Sequence, residues 1–233
     1  MTNSSSPPDD DEGQGSYASP PCFMHELDPL YGGIAPDPAA SRDVSRWRKA
    51  ERERLIAARK ALPVAAREEH ARLIARDLDR LVPRSAGTIV SLYWPFRGEP
   101  DLRPWMAEVC AAGLRTALPV VVAKGQPLVF REWTPDARLE RGVWNIPFPA
   151  DGAVVTPTVI IAPLVGFDAE GYRLGYGGGF FDRTLATMAS KPLIIGVGHL
   201  TQKITTIYPQ PHDIGMDWIV TGHEAPVPGK ASS

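Results

Sequence analysis

A cluster of four glycines within five positions, close behind a run of apolar residues, is the feature that most constrains this chain. Residues 158–164 (TVIIAPL) predict a buried strand, and residues 181–188 predict a short helix. Between them lies RLGYGGGFFDR, residues 173–183. A strand, a glycine-rich turn and a helix start commonly bind phosphate, because glycine permits close backbone approach and the helix start offers free N–H groups.

The glycines alone leave two interpretations open, a phosphate cradle or a tight structural loop. The cluster departs from the dinucleotide fingerprint, since Phe180 stands where the third glycine belongs, and it lacks the Gly-Lys-Ser/Thr of the P-loop. The flanking charges favour phosphate. Arg173 and Arg183 supply cations, and Asp182 can hold a hydrated divalent metal near phosphates or simply cap the helix.

Helical and strand patterns alternate along the rest of the chain. Helices are predicted over residues 41–62, from Pro63 to before Pro83, and over residues 104–112 with Asp101 as a cap. Strands are predicted over residues 88–93, 114–123, 128–133 and 193–197. This alternation favours an α/β fold with a mostly parallel sheet. Ligands bind beyond the carboxyl ends of such strands, so YWPFRGE (residues 93–99) and the glycine-rich loop could meet at one edge.

Composition divides the chain into three parts. Residues 1–40 are rich in Ser, Pro, Asp and Gly and predict a disordered or loosely docked tail. Residues 41–225 are expected to form one domain, followed by a flexible end at 226–233.

Charge and cysteine content exclude several classes of function. A formal net charge of -2 provides no global field for nucleic acid or an anionic membrane, and no apolar stretch is long enough to span a bilayer. Cys22 and Cys110 resemble neither a disulfide framework nor a metal site, which favours the cytoplasm.

Two arginines mark one face of the first predicted helix. Arg48 and Arg52 are four residues apart, so both guanidinium groups lie on the same face. Such a pair is either a solvated basic face or a pair of anion ligands aimed into a cleft.

The glycine-rich segment with its lead-in is more specific than its glycines. Residues 163–168 (PLVGFD), Gly171 and residues 173–183 closely resemble the signature of the 5-formyltetrahydrofolate cyclo-ligase family, also called methenyltetrahydrofolate synthetases. A looser resemblance extends over roughly residues 45 to 221. It implies a single three-layer α/β domain with a glycine-rich phosphate-binding loop. It also implies conversion of 5-formyltetrahydrofolate and MgATP to 5,10-methenyltetrahydrofolate, ADP and phosphate.

The resemblance also implies roles for individual residues. ATP-binding positions fall on Arg48, Arg52, Arg173, Leu174, Gly175, Tyr176, Gly177, Gly178, Gly179, Phe180 and Phe181, with Lys49 as a substitute on the first helix. The catalytic positions are Arg173 and Asp182, and the magnesium carboxylates are Asp182 and Asp213. Asp213 has a second interpretation, because an aspartate in a turn commonly bonds neighbouring backbone N–H groups.

Binding of a reduced folate is the other implied property. The implied substrate positions are Trp94, Glu99, Tyr176, Gly177, Gly178, Gly179 and Phe180. An aromatic side chain suits a flat pterin ring, and a carboxylate suits ring N–H donors because it only accepts hydrogen bonds. The alternative places Trp94 in the core and Glu99 on the surface.

Three departures from the family pattern keep other functions open. Phe148 stands where a polar residue is usual, Phe180 and Phe181 stand where the family often has two tyrosines, and His199 is more basic than expected. One alternative is a non-catalytic folate or nucleotide binder, and another is an enzyme acting on a different phosphorylated small molecule. In each case a monomer or weak homodimer is expected.

Overall fold

The computed structural model describes residues 38–229. Within this range the helices are α1 (Pro38–Ala61), α2 (Val64–Leu81), α3 (Arg103–Ala111) and α4 (Phe180–Thr187). All four predicted helices are present, with ends within three residues of the expected ones. Leu102, not Asp101, is the N-cap residue of α3, although the Asp101 carboxylate still accepts the Arg103 N–H at 3.1 Å.

Twelve strands are present in the described range. They are β1 (Ile89–Ser91), β2 (Arg115–Val120), β3 (Val129–Trp133), β4 (Leu139–Arg141), β5 (Pro147–Pro149), β6 (Val154–Val155), β7 (Val159–Pro163), β8 (Gly166–Phe167), β9 (Arg173–Leu174), β10 (Leu193–Val197), β11 (Trp218–Val220) and β12 (Val227–Pro228). Eight form one sheet in the order β12-β11-β10-β7-β1-β2-β3-β6, and β4-β5 and β8-β9 are separate hairpins.

The mostly parallel sheet is confirmed. The five strands from β11 to β2 run parallel, whereas β3, β6 and β12 pair antiparallel with their neighbours. The antiparallel edge arises because a short turn joins β2 directly to β3, and a parallel pairing would need a long crossover.

The three-layer arrangement follows from the alternation of side chains along β7. Val159 and Ile161 join a buried cluster with α2 and α3, including Ile74 and Leu78. Ile160 and Ala162 point the other way, toward the side of α4. Since both faces are covered, β7 reads as a continuous apolar run. Each fully buried aliphatic side chain of this kind stabilises the fold by about 1.5–3 kcal/mol.

The predicted ends of the domain are only partly covered by the structure. The predicted tail at residues 1–40 lies outside the described residues except for the start of α1. At the other end, β12 follows the predicted boundary at residue 225 and pairs with β11. In the described part of the chain, no helix is long and apolar enough to cross a membrane.

Candidate active site

The glycine-rich loop, residues 175–179, joins β9 to the first turn of α4. Gly177 has φ +92°, and Gly179 is the N-cap of α4 with φ +62°. A Cβ atom on Gly177 would lie 3.3 Å from the Arg52 guanidinium carbon. These two glycines therefore allow a turn that other residues adopt only under strain, and they let α1 approach the loop backbone.

Arg52 on α1 contacts the glycine-rich loop directly. Its Nε donates to the Gly175 carbonyl at 2.7 Å. Burial is the main cause that lowers the Arg52 pKa, followed by the nearby charge of Arg48. The neighbouring Lys49 is exposed. The tertiary structure thus brings Arg52 of the predicted arginine face against the loop and leaves Lys49 in solvent.

Arg48 is buried and joins α1 to the segment before β11. Its guanidinium donates to the Ile207 carbonyl at 2.9 Å and the Tyr208 carbonyl at 2.8 Å, and it forms an ion pair with Asp213. The Asp213 carboxylate also accepts the Gln210 N–H at 2.7 Å. Asp213 therefore makes the turn contacts of the structural interpretation, and it also neutralises a buried arginine.

Arg173 and Asp182 form a bidentate pair across the glycine-rich loop. The two N–O distances are 3.0 and 2.9 Å. Asp182 lies in the first turn of α4, but Gly179 is the N-cap residue, so capping does not explain the carboxylate. Asp182 instead accepts the Ile214 N–H at 3.2 Å, so it contacts the segment that carries Asp213.

The carboxylates of Asp182 and Asp213 could hold a metal ion, and oxygen ligands of this kind suit magnesium better than a transition metal. Within residues 38–229, no group of three or more His, Cys, Asp or Glu is arranged to hold a metal ion. Mg²⁺ commonly uses one or two carboxylates together with phosphates and water, and Asp182 and Asp213 could supply such carboxylates. Their arginine partners would be free to bind phosphate once the carboxylates held the metal.

Glu99 is buried next to Tyr176 of the glycine-rich loop. Its carboxylate accepts the Phe96 N–H at 2.8 Å and the Tyr176 hydroxyl at 2.7 Å. Burial raises the pKa of Glu99 to about 7, although the Arg59 charge and both hydrogen bonds lower it. The surface interpretation of Glu99 is wrong, since the residue is only 6% exposed. The two loops predicted to meet at one sheet edge do meet here.

Trp94 lies apart from this contact. Its ring packs against the core cluster of α2 and α3, and the Arg103 guanidinium lies 4.9 Å from its ring centre. The structure therefore favours the core interpretation of Trp94.

An aromatic cluster around Tyr176 contains a residue that sequence reasoning did not place in the site. Trp144 is 51% exposed and stacks with Phe96, with ring planes within 5° and centres 6.5 Å apart. It also contacts the rings of Tyr176 and Phe180. The sequence signal was only an aromatic residue within GVWNIPFP, residues 142–149, and the structure places Trp144 in the 3-10 turn Val143–Asn145 with φ +55°.

Arg59 is a second residue that the sequence reasoning missed. It lies on α1 and is 0% exposed. Its guanidinium donates to the Tyr176 hydroxyl at 2.6 Å and lies 3.8 Å from Glu99. The helical spacing from Arg52 contained a signal, because seven residues return to the same helix face.

The three departures have structural explanations. Phe181 on α4 packs against the buried cluster that includes Ala162, with the Arg173 guanidinium 5.4 Å from its ring centre. Phe148 packs against Gly142 in the β4-β5 hairpin, and the Arg131 guanidinium lies 6.0 Å from its ring centre.

His199 supports the loop that carries Glu99. It is fully buried, and its Nε2 lies 3.0 Å from the Gly98 carbonyl, so Nε2 carries the proton and donates. In the neutral ring Nδ1 then accepts a hydrogen bond from His70 Nδ1, which lies 2.8 Å away. Burial lowers the pKa of His199 to about 4 and keeps this arrangement neutral.

Several known proteins resemble this chain in sequence. The model of the 5-formyltetrahydrofolate cyclo-ligase family matches residues 44–222. The chain is 32% identical over 171 residues to 5-formyltetrahydrofolate cyclo-ligase of Escherichia coli K12, covering 70% of this chain and 93% of the relative. It is 31% identical over 179 residues to the Mycolicibacterium smegmatis protein of the same name, covering 73% and 91%.

A solved structure supports the same fold. The NMR structure of Aquifex aeolicus 5,10-methenyltetrahydrofolate synthetase superposes with a TM-score of 0.68 at 28% identity. The match covers 80% of this chain and 94% of the other.

Proposed function

The chain belongs to the 5-formyltetrahydrofolate cyclo-ligase family, and we propose that it converts 5-formyltetrahydrofolate and ATP to 5,10-methenyltetrahydrofolate, ADP and phosphate with Mg²⁺. The observation that carries the proposal is the 2.7 Å hydrogen bond between Tyr176 and Glu99. It joins the loop proposed to hold the nucleotide to the loop proposed to hold the folate. A phosphoryl group can then pass between two substrates held side by side.

The proposed reaction has two steps. The formyl oxygen attacks the γ-phosphorus of ATP, the bond to the β–γ bridging oxygen breaks, and ADP leaves. The folate N10 then attacks the formyl carbon, N10 loses its proton, and phosphate departs with the formyl oxygen. Neither step needs a protein nucleophile. The protein must align the two substrates and neutralise phosphate charge.

The nucleotide side consists of arginines and carboxylates that pair with each other. Arg48 pairs with Asp213, and Arg173 pairs with Asp182. We assign the arginines to the phosphates and the carboxylates to Mg²⁺, which neutralises phosphate charge when bound. Because phosphate competes for the arginines while metal competes for the carboxylates, nucleotide and metal should strengthen each other's binding.

The folate side consists of Glu99 and the aromatic cluster. The Glu99 carboxylate accepts hydrogen bonds from pterin ring N–H groups. The Phe96 and Trp144 rings are parallel, and Trp144 is 51% exposed, so its face is available to stack on a flat ring. Trp144 would therefore stack on the substrate in the role first expected of Trp94.

The test follows the absorbance of methenyltetrahydrofolate after mixing protein, 5-formyltetrahydrofolate and MgATP, with ADP measured in parallel. Asp182→Asn should lower turnover about 100-fold or more, since it removes a carboxylate proposed to hold the metal. Asp151→Asn is the matched control, because this exposed carboxylate also pairs with an arginine but lies outside the site.

The same assay separates the two alternatives. Folate and ATP protection against thermal unfolding without ADP release would indicate a non-catalytic binder. Absence of folate protection would indicate a different phosphorylated substrate. We further propose a cytoplasmic enzyme that acts as a monomer or weak homodimer.

A further inference from the structure

Arg59 connects three segments of the site. Its guanidinium donates to the Arg97 carbonyl at 2.9 Å, the Leu164 carbonyl at 3.0 Å and the Tyr176 hydroxyl at 2.6 Å. These groups belong to the folate-side loop, the end of β7 and the glycine-rich loop. A fully buried arginine is costly to desolvate, so it is retained only when its donors are well paired.

The hydroxyl of Tyr176 makes the connection to Glu99 directional. A phenol has a single proton, and Arg59 can only donate. Because Arg59 donates to the hydroxyl oxygen, the hydroxyl proton is free to point at Glu99, whose Oε1 lies 2.7 Å away. Arg59 thus fixes both the position of Tyr176 and the direction of its proton.

We propose that Arg59 is a positioning residue that aligns Glu99 for the folate and favours its carboxylate form while it fixes the glycine-rich loop. The inference rests on the proposed function, since it takes the folate as the ligand of Glu99. Arg59 itself is buried behind Tyr176 and acts through these two side chains.

The groups that face Glu99 come from several elements. Arg59 lies on α1, Tyr176 on the glycine-rich loop and Tyr93 after β1, and the Phe96 N–H belongs to the same loop as Glu99. Asp101 follows in that loop, with its charge held by Arg103. Burial favours the protonated carboxyl group, whereas the positive charge of Arg59 favours the carboxylate.

The test compares Arg59→Met with Arg59→Lys. Folate binding without nucleotide is measured by tryptophan fluorescence from pH 6 to 9.5, and thermal unfolding checks each variant. Arg59→Met should bind folate about 10-fold more weakly at pH 7. The acid limb of its binding profile, which is the pH range where folate affinity falls as the pH is lowered, should move to higher pH by about one unit or more. Arg59→Lys should keep the wild-type limb, because it keeps the charge, but should lose affinity at every pH.

A matched control is available on the same helix. Arg54 is exposed and pairs with Glu51, so Arg54→Met should leave affinity and pH profile unchanged. If Arg59→Met fails to fold, Tyr176→Phe provides the test, because it removes a hydrogen bond to Glu99 while keeping the cation. The acid limb of its folate-binding profile should also move to higher pH.

Two results would overturn the assignment. One is a loss of folate affinity in Arg59→Met that has the same size at every pH, which would show a merely structural role. The other is an unmoved limb in Tyr176→Phe when Arg59→Met cannot be measured. A wild-type protein that binds no folate would instead overturn the proposed function, and this assignment with it.

Discussion

Glu99 and His199 should pull the pH dependence of stability in opposite directions. Burial raises the Glu99 pKa from 4.5 to about 7 and lowers the His199 pKa from 6.5 to about 4. The folded protein therefore holds the Glu99 proton more tightly than the unfolded chain does, so stability from this group falls as pH rises from 4.5 to 7. The unfolded chain holds the His199 proton more tightly, so stability is lost as pH falls from 6.5 to 4.

The size of each effect follows from these values. A pKa change of about 2.5 corresponds to about 3 kcal/mol, at about 1.4 kcal/mol per pKa unit. The two windows overlap between pH 4.5 and 6.5, where the contributions nearly cancel in the wild-type protein. Relative to wild type, Glu99→Gln should lose about 3 kcal/mol as pH falls from 7 to 4.5. His199→Gln should gain about 3 kcal/mol as pH falls from 6.5 to 4.

Urea unfolding followed by tryptophan fluorescence measures both differences. Titrating groups shared by all three proteins cancel when each variant is compared with wild type at the same pH. Altered hydrogen bonds should shift the free energy of unfolding of each variant by the same amount at every pH, and such a constant shift does not affect the comparison. If the free energy of unfolding of variants and wild type ran parallel from pH 4 to 7, the reasoning would be refuted, because neither buried group would then change its pKa on folding.

Two further predictions concern the nucleotide side. Asp182→Asn releases Arg173 from its ion pair, so metal-free ATP should bind about 5-fold more tightly and MgATP should bind more weakly. Calorimetry measures both affinities. Weaker binding of both forms would contradict the proposed exchange of partners. Gly179→Ala should lower the free energy of unfolding in urea by about 1–2 kcal/mol, because Gly179 has φ +62°. Gly175→Ala should leave it nearly unchanged, since a Cβ there meets nothing within 4 Å. An equal loss in both variants would show that the left-handed turn is not strained.

Local patterns in the sequence predicted the elements of the fold. The apolar run of β7 and the helical spacing of Ile74 and Leu78 fix strand and helix by periodicity, which neighbouring residues alone produce. The same holds for Arg48 and Arg52, because residues four apart share a helix face whatever that face meets.

The chemical partners of the site residues were beyond local pattern. Trp94 and Trp144 are both aromatics in loops, and only the packed structure places one on the core and the other beside Tyr176. Sequence likewise offered Asp182 as a helix cap, and the structure gives its partner as Arg173. Such choices depend on which segments pack together.

By itself the sequence determined the α/β elements, the glycine-rich turn and the cyclo-ligase resemblance. Only the tertiary structure decided that Arg59 lies buried against Tyr176, and that His199 supports the Glu99 loop through Gly98. The contacting residues lie 117 and 101 positions apart in these two cases. Charge, burial and proton position are set by what surrounds a side chain, and at such separations the surroundings exist only after the chain has folded.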